Sequence, residues 1–368
     1  MKTTEQLYNE RFTRFKKALN LEKPDRTPVV MMGDSFCAVQ QGVKLSEFCK
    51  SIEYSNKVIV DSLKYFEDFD GATATFNVAR IFPLIFMSRI KLPGRELPDN
   101  MLWQLDEREL MTVEDYDTII NKGWNSFMPG FVEDKLKVNL GALTEEMAYI
   151  PQAMKNVEDA GFLVYSPVVT TTVNEYLGGG RSMTKFMRDL FRMPDKVEAV
   201  LEVIQKENLE SLRQQIRQLK PTVVFVSPAR GASEFYSPKL WERFVWKYIK
   251  ETADMIIEEG AICDIHCDSN WERDLDYFKA FPKGKCVFET DGTTDIYKIK
   301  EKLGDRMCIK GDVPSQKLVL GTPDEVYDYC TRIIKDVGPG LILSSGCSIP
   351  PNAKVENIKA MLAAATGK

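Results

Sequence analysis

From Pro221 onward, short apolar runs rich in β-branched residues alternate with longer amphipathic segments. A strand buried on both faces produces the first pattern and a helix covering it produces the second. Their repetition predicts a parallel sheet made of strand–helix units. Five strands are predicted in this half, at Thr222–Val226, Ala261–His266, Cys286–Glu289, Met307–Lys310 and Leu341–Ser344. The helices between and after them are expected at Pro238–Glu259, Arg273–Ala280, Thr294–Leu303, Pro323–Val337 and Lys354–Ala365. Earlier in the chain, Thr4–Leu19 reads as a leading helix, and Pro28–Met32, Gly71–Phe76 and Phe162–Tyr165 as three more strands. Eight strands close a barrel. The expected fold class is therefore α/β, a (β/α)8 TIM barrel over residues 1–368 as one domain, with inserted helices in the N-terminal half. The stretch from Ala79 to Asp159 is too long for one crossover and is expected to add helices and a cap over the barrel mouth.

Composition narrows the function classes. A formal charge of −5 provides no basic stripe for tracking phosphates, so no nucleic-acid partner is expected. No apolar run approaches the roughly 18 residues of a membrane span, and the first residues lack the apolar core of a signal peptide. The expectation is a cytoplasmic protein with no membrane partner. Eight cysteines, at 37, 49, 263, 267, 286, 308, 330 and 347, suit buried thiols better than a disulfide scaffold in a chain of this length. His266 is the sole histidine, so histidine-dependent chemistry has one address.

Parallel strands joined by helices gather their carboxyl ends on one face, where the following loops build the site. The polar residues expected there are Ser227, Arg230, His266, Asp268, Glu289, Asp291, Asp312, Ser344, Ser345 and Cys347. Helix capping accounts for some of the aspartates, but not for a histidine and a cysteine in the same set. Imidazole, thiolate and carboxylate together are the donors of a zinc site with an open position. Strand alternation puts His266 and Asp268 on one face and Cys267 on the other, favouring Asp268 as a ligand. Glu289, at the end of the neighbouring strand, is within expected reach of the same ion. The metal set is thus His266, Asp268, Glu289 and Cys347, with Cys347–His266 as a nucleophile pair the rival reading.

Two other features have structural readings. Gly178, Gly179 and Gly180 lack the surroundings of a phosphate loop and read as a flexible turn before a helix starting near Ser182. Trp241, Phe244, Val245, Trp246 and Tyr248 read as the packed face of a barrel helix.

Taken together, these residues resemble the uroporphyrinogen decarboxylase superfamily, and within it the zinc-containing, corrinoid-dependent methyltransferases. The segment Asn174–Leu190 and the helix start Ser237-Pro238-Lys239-Leu240-Trp241 with Phe244 are similar to superfamily motifs. The stretches His266-Cys267-Asp268-Ser269-Asn270-Trp271, Gly311-Asp312-Val313-Pro314 and Ser345-Gly346-Cys347 are similar to the methyltransferase branch. That branch usually ligates zinc with a histidine, a cysteine two residues on and a distant cysteine. His266 and Cys347 match, whereas Asp268 stands where the middle cysteine would be. Fewer thiolates imply a harder, more Lewis-acidic zinc, suited to an ether oxygen. The superfamily's metal-free decarboxylases carry an arginine-rich loop near the first strand; here it reads Met32-Gly33-Asp34-Ser35-Phe36-Cys37.

What the resemblance implies is an O-demethylase methyltransferase. It would move a methyl group from a small-molecule methyl ether, such as a methoxylated aromatic, to the cobalt of a corrinoid. Because the sole histidine is assigned to zinc, no cofactor-binding residues for a corrinoid are expected here, and a partner corrinoid protein carries it. Glu289 and Asp312 are the expected catalytic proton donors. Homo-oligomerisation is compatible with the sequence but not specified by it. Three rivals are a methylcobalamin:thiol methyltransferase, a metal-free decarboxylase, and a catalytically silent barrel. The silent barrel would show an apolar mouth with Asp268 and Glu289 salt-bridged to neighbours.

Overall fold

The structure is a computed structural model and describes residues 2–368. Eight parallel strands form the barrel: β1 (Val30–Met31), β2 (Gly71–Ala72), β3 (Leu163–Val164, resuming as Val168–Thr171), β4 (Val223–Ser227), β5 (Ile262–Cys267), β6 (Cys286–Thr290), β7 (Cys308–Val313) and β8 (Leu341–Ser345). Each pairs with its sequence neighbour. The ring closes where Val29 bridges Leu343, with Leu343 N donating to Pro28 O at 2.9 Å. The expected (β/α)8 barrel is the observed fold. Its third strand runs further than Phe162–Tyr165: the lower half pairs with β2 and the upper half with β4. Pro167 lies in the break, and a proline has no N–H to give a ladder.

Alternation along each strand divides the apolar residues into two cores. Val30, Leu163, Val223, Val287, Cys308 and Ile342, near the amino ends, pack together inside the barrel. Their strand neighbours Met31, Phe162, Val224, Phe288, Ile309 and Leu343 face the surrounding helices. The N-terminal helix Thr4–Leu19 starts in a Thr3–Gln6 capping box and seals the barrel floor with Phe15, Ala18 and Leu19. Burying Phe15 alone contributes about 2–3 kcal/mol. With the floor closed, the carboxyl ends of the strands are the open face.

The long insertion contains the helices Phe82–Phe86, Val113–Lys122, Trp124–Asp134, Leu140–Met147 and Ile150–Asp159, and a hairpin pairing Arg89–Lys91 with Gln104–Asp106. Two of its residues reach the mouth. The Phe86 ring lies 5.6 Å from the Arg230 guanidinium, and Glu107 meets Arg230 Nη2 at 3.3 Å. Arg230 belongs to the loop leaving β4, so this part of the insertion packs against a loop at the carboxyl ends of the strands.

The glycine run departs from expectation. Gly178–Gly180 lie within the helix Val173–Arg181, not in a turn. Packing outweighs propensity here, because a Cβ on Gly179 would overlap the Phe86 carbonyl oxygen. The helix beginning at Pro238 also has an irregularity, a π-helical turn over Glu242–Trp246. Trp241, Phe244, Val245, Trp246 and Tyr248 are all buried, as the packed-face reading requires. Among the described residues, no helix is long and apolar enough to cross a membrane.

Candidate metal centre

His266 is the fifth residue of β5, one position before the strand ends. Asp264 and His266 share the barrel's inner face, while Cys263, Ile265 and Cys267 pack in the outer core. The Cys267 thiol therefore points away from the mouth, and burial holds its pKa well above the ordinary value. Asp268 follows in the loop, where Trp271 Nε1 donates to its carbonyl at 2.6 Å and Ser269 N donates to Asp291 Oδ2 at 2.8 Å.

Cys347 arrives from the other side of the ring. A Cβ on Gly346 would overlap the Asp291 carbonyl, so only glycine lets the loop after β8 lie against the loop after β6. Gly346 N donates to Val313 O at 2.9 Å and Ser345 Oγ to Cys347 O at 2.5 Å, fixing the backbone that carries the thiol.

These constraints bring His266, Asp268 and Cys347 to one point. His266 Nε2 lies 3.1 Å from Asp268 Oδ1 and 3.9 Å from Cys347 Sγ, and the three donor atoms are all within 4.8 Å of one another. Tetrahedral zinc with bonds of about 2.0–2.3 Å needs donors about 3.3–3.8 Å apart. The set fits such an ion after shifts of a few tenths of an ångström in most pairs. His266 is buried, whereas Asp268 and Cys347 are partly exposed. Three protein donors would leave one position of a four-coordinate ion open.

Glu289 lies on the other side of the imidazole. Its Oε1 is 3.2 Å from His266 Nδ1 and 2.7 Å from Lys310 Nζ. These are charge contacts, since neither Glu289 oxygen nor Nδ1 has a hydrogen-bond partner among the described residues. Glu289 is thus brought to His266 but not into the three-donor group. Burial raises the Glu289 pKa, yet Lys310 and His266 outweigh it and hold the carboxyl below the usual range. For His266, burial lowers the pKa, but Glu289 and then Asp268 raise it further, leaving the metal-free ring well above its ordinary value. The Phe225 ring stacks on His266 with centroids 5.4 Å apart.

Asp312 lies apart from this group, buried near the end of β7, and its Oδ1 accepts from Tyr329 OH at 2.9 Å. Burial pushes its carboxyl up to about 6. The native state therefore holds this proton more tightly than the unfolded chain, with its ordinary 3.8. That advantage is complete below pH 3.8 and is lost as pH rises through about 6. Asp312→Asn removes the dependence, so its stability relative to the natural protein should rise by about 2 kcal/mol between pH 4 and 7. Urea titrations of both proteins across that range check it, and a constant difference would contradict the assignment.

Interior charges outside the expected site residues lie beneath the site. Asp264 and Lys310 are fully buried, with Lys310 Nζ 3.9 Å from Asp264 Oδ2 and 4.3 Å from the Tyr165 ring centroid. Period-two counting back from His266 and Asp312 points to both of them.

Comparison with known proteins agrees with this geometry at the level of fold. The uroporphyrinogen decarboxylase (URO-D) family model matches residues 132–367. Uroporphyrinogen decarboxylases from the Dugway and RSA 493 strains of Coxiella burnetii are 22% identical over 375 residues, covering 97% of this chain and 94% of theirs. A solved methyltransferase from Methanosarcina mazei superposes with a TM-score of 0.71 at 16% identity, over 97% of this chain and 98% of its own.

Proposed function

The chain belongs to the uroporphyrinogen decarboxylase (URO-D) family of enzymes, and from that premise we propose that it is a zinc-dependent methyltransferase. Its reaction is transfer of a methyl group from a methyl ether, a methoxylated aromatic, to the cobalt of a corrinoid carried by a partner protein. The observation that carries this reading is the convergence of His266 Nε2, Asp268 Oδ1 and Cys347 Sγ at the barrel mouth. Zinc bound there would supply a Lewis acid for the ether oxygen, the atom that must leave with the bonding electrons.

The chain's own residues do the rest. His266, Asp268 and Cys347 would hold the ion, and Phe225 packs on the imidazole to limit its rotation. Glu289 orients His266 through Nδ1. Asp312 suits proton delivery to the leaving oxygen better than Glu289, because its carboxyl holds a proton up to about pH 6 whereas Glu289 is kept ionised.

The decarboxylase reading draws on the Coxiella relatives. Against it stands the charge of the mouth. Glu175 and Glu107 hold Arg230, Glu289 holds Lys310, and in the loop after β1 Asp34 accepts from Val78 N at 2.9 Å. A polycarboxylate would meet Asp268 and Asp312 with these cations already engaged. A silent barrel accounts for the paired Glu289 but not for Asp268, which among the described residues has no lysine or arginine at ion-pair distance.

The direct test supplies zinc-loaded protein with cob(I)alamin and 2-methoxyphenol and follows methylcobalamin by absorbance. Zinc-dependent methylation with release of the diphenol is expected. Methylation of a thiol from methylcobalamin, with no reaction at the ether, would favour the thiol methyltransferase. Carbon dioxide release from uroporphyrinogen by metal-free protein would replace the proposal with decarboxylation.

A further inference from the structure

His266, Glu289 and Lys310 form a row across three adjacent strands. The register of β5 with β6 sets His266 beside Glu289, and that of β6 with β7 sets Lys310 beside Glu289. All three side chains point into the barrel, beneath the mouth. Glu289 and Lys310 are fully buried, so each has only protein to compensate its charge. Lys310 Nζ lies 2.7 Å from Glu289 Oε1, with Thr73 Oγ1 at 3.5 Å. The Tyr165 ring bounds the same nitrogen. The ammonium therefore has little freedom to leave the carboxylate.

We propose that Lys310 is a positioning residue for the metal centre, fixing the Glu289 carboxylate against His266 Nδ1 so that Nε2 faces Asp268 and Cys347. The inference rests on the zinc-binding reading of that trio. Histidine ligands of metals generally gain orientation from a carboxylate on the second ring nitrogen, and loss of such a partner weakens metal binding about ten- to a hundredfold. Lys310 extends that chain by one residue, acting on the metal only through Glu289.

A double-mutant cycle on zinc affinity tests it, with chelator competition on Lys310→Met, Glu289→Gln and the double variant. Each single variant should bind zinc about ten- to a hundredfold more weakly. The double variant should bind no more weakly than Glu289→Gln alone. Because His266 is the sole histidine, its ring 15N resonances need no assignment. They should show Nδ1 protonated and Nε2 metal-bound in the zinc-loaded natural protein, with signals shifted or exchange-broadened in both single variants. A purely structural lysine would lower the melting temperature and leave affinity and ring signals unchanged, which would overturn the proposal. If Lys310→Met does not fold, the double variant, which removes both charges, and Lys310→Arg, which keeps the charge but displaces it, decide. Binding by the double variant weaker than in Glu289→Gln overturns action through Glu289. Lys310→Arg should bind zinc more weakly than the natural protein, and unchanged binding overturns the proposal. Absence of zinc binding in the natural protein would instead sink the metal reading itself.

Discussion

Replacing His266 or Cys347 with alanine is expected to lower zinc from about one ion per chain to almost none. Each substitution removes one of three donors, leaving two ligands that water competes with readily. The loss should exceed the ten- to hundredfold typical of an outer-sphere partner, so purification alone strips the ion. Methyl transfer should fall below detection in both variants. Elemental analysis of the purified proteins, with circular dichroism as a check on folding, gives the answer. Full zinc in both folded variants would refute the donor assignment and remove the chemical basis of the proposed reaction.

Gly179→Ala is expected to be the most damaging single-methyl change in the molecule. The helix Val173–Arg181 lies so close to the Phe86 carbonyl that the added carbon has no space. Relief requires moving the helix or the loop bearing Phe86, at a cost of about 3 kcal/mol or more. The same helix carries Glu175, whose Oε2 accepts from Arg230 Nη1 at 2.9 Å, so displacement would also disturb the mouth. Gly130→Ala is the matched control, since a Cβ there meets nothing within 4 Å. In the helix Trp124–Asp134 it should gain up to about 1 kcal/mol from helix propensity. Urea unfolding midpoints of the two variants should move in opposite directions, and a Gly179→Ala protein as stable as the natural one would disprove the packing argument.

Much of this architecture was legible because its signals are local. The β-branched runs place all eight barrel strands to within a few residues, and the apolar stripe of Pro323–Val337 marks that helix as it stands. The failures share a cause. The upper half of β3 carries no continuous strand signal because Pro167 interrupts the ladder, and the glycine run signals a turn because intrinsic propensity favours one. What makes Gly179 helical is Phe86, an atom contact no local window contains. At the site, the rarity of histidine singled out His266, and its place at a strand end pointed to the mouth. Glu289 was correctly placed on the neighbouring strand, but sequence could not say which ring nitrogen it would face. Lys310 is a charged residue inside a strand, which no hydrophobic pattern marks as functional, and its register with Glu289 is what seats it there.

The kind and order of the elements are written in the chain itself, since hydrophobic period and turn chemistry act over a few residues. So is the placing of unusual donors at strand ends. That His266 and Cys347, 81 residues apart, approach to 3.9 Å, and that Glu289 faces Nδ1 of the imidazole rather than Nε2, are matters of long-range packing. That approach follows from closing the ring between β8 and β1 and stacking the loop after β8 on the loop after β6. Closure is a property of all eight strands packed at once, so no short segment encodes it.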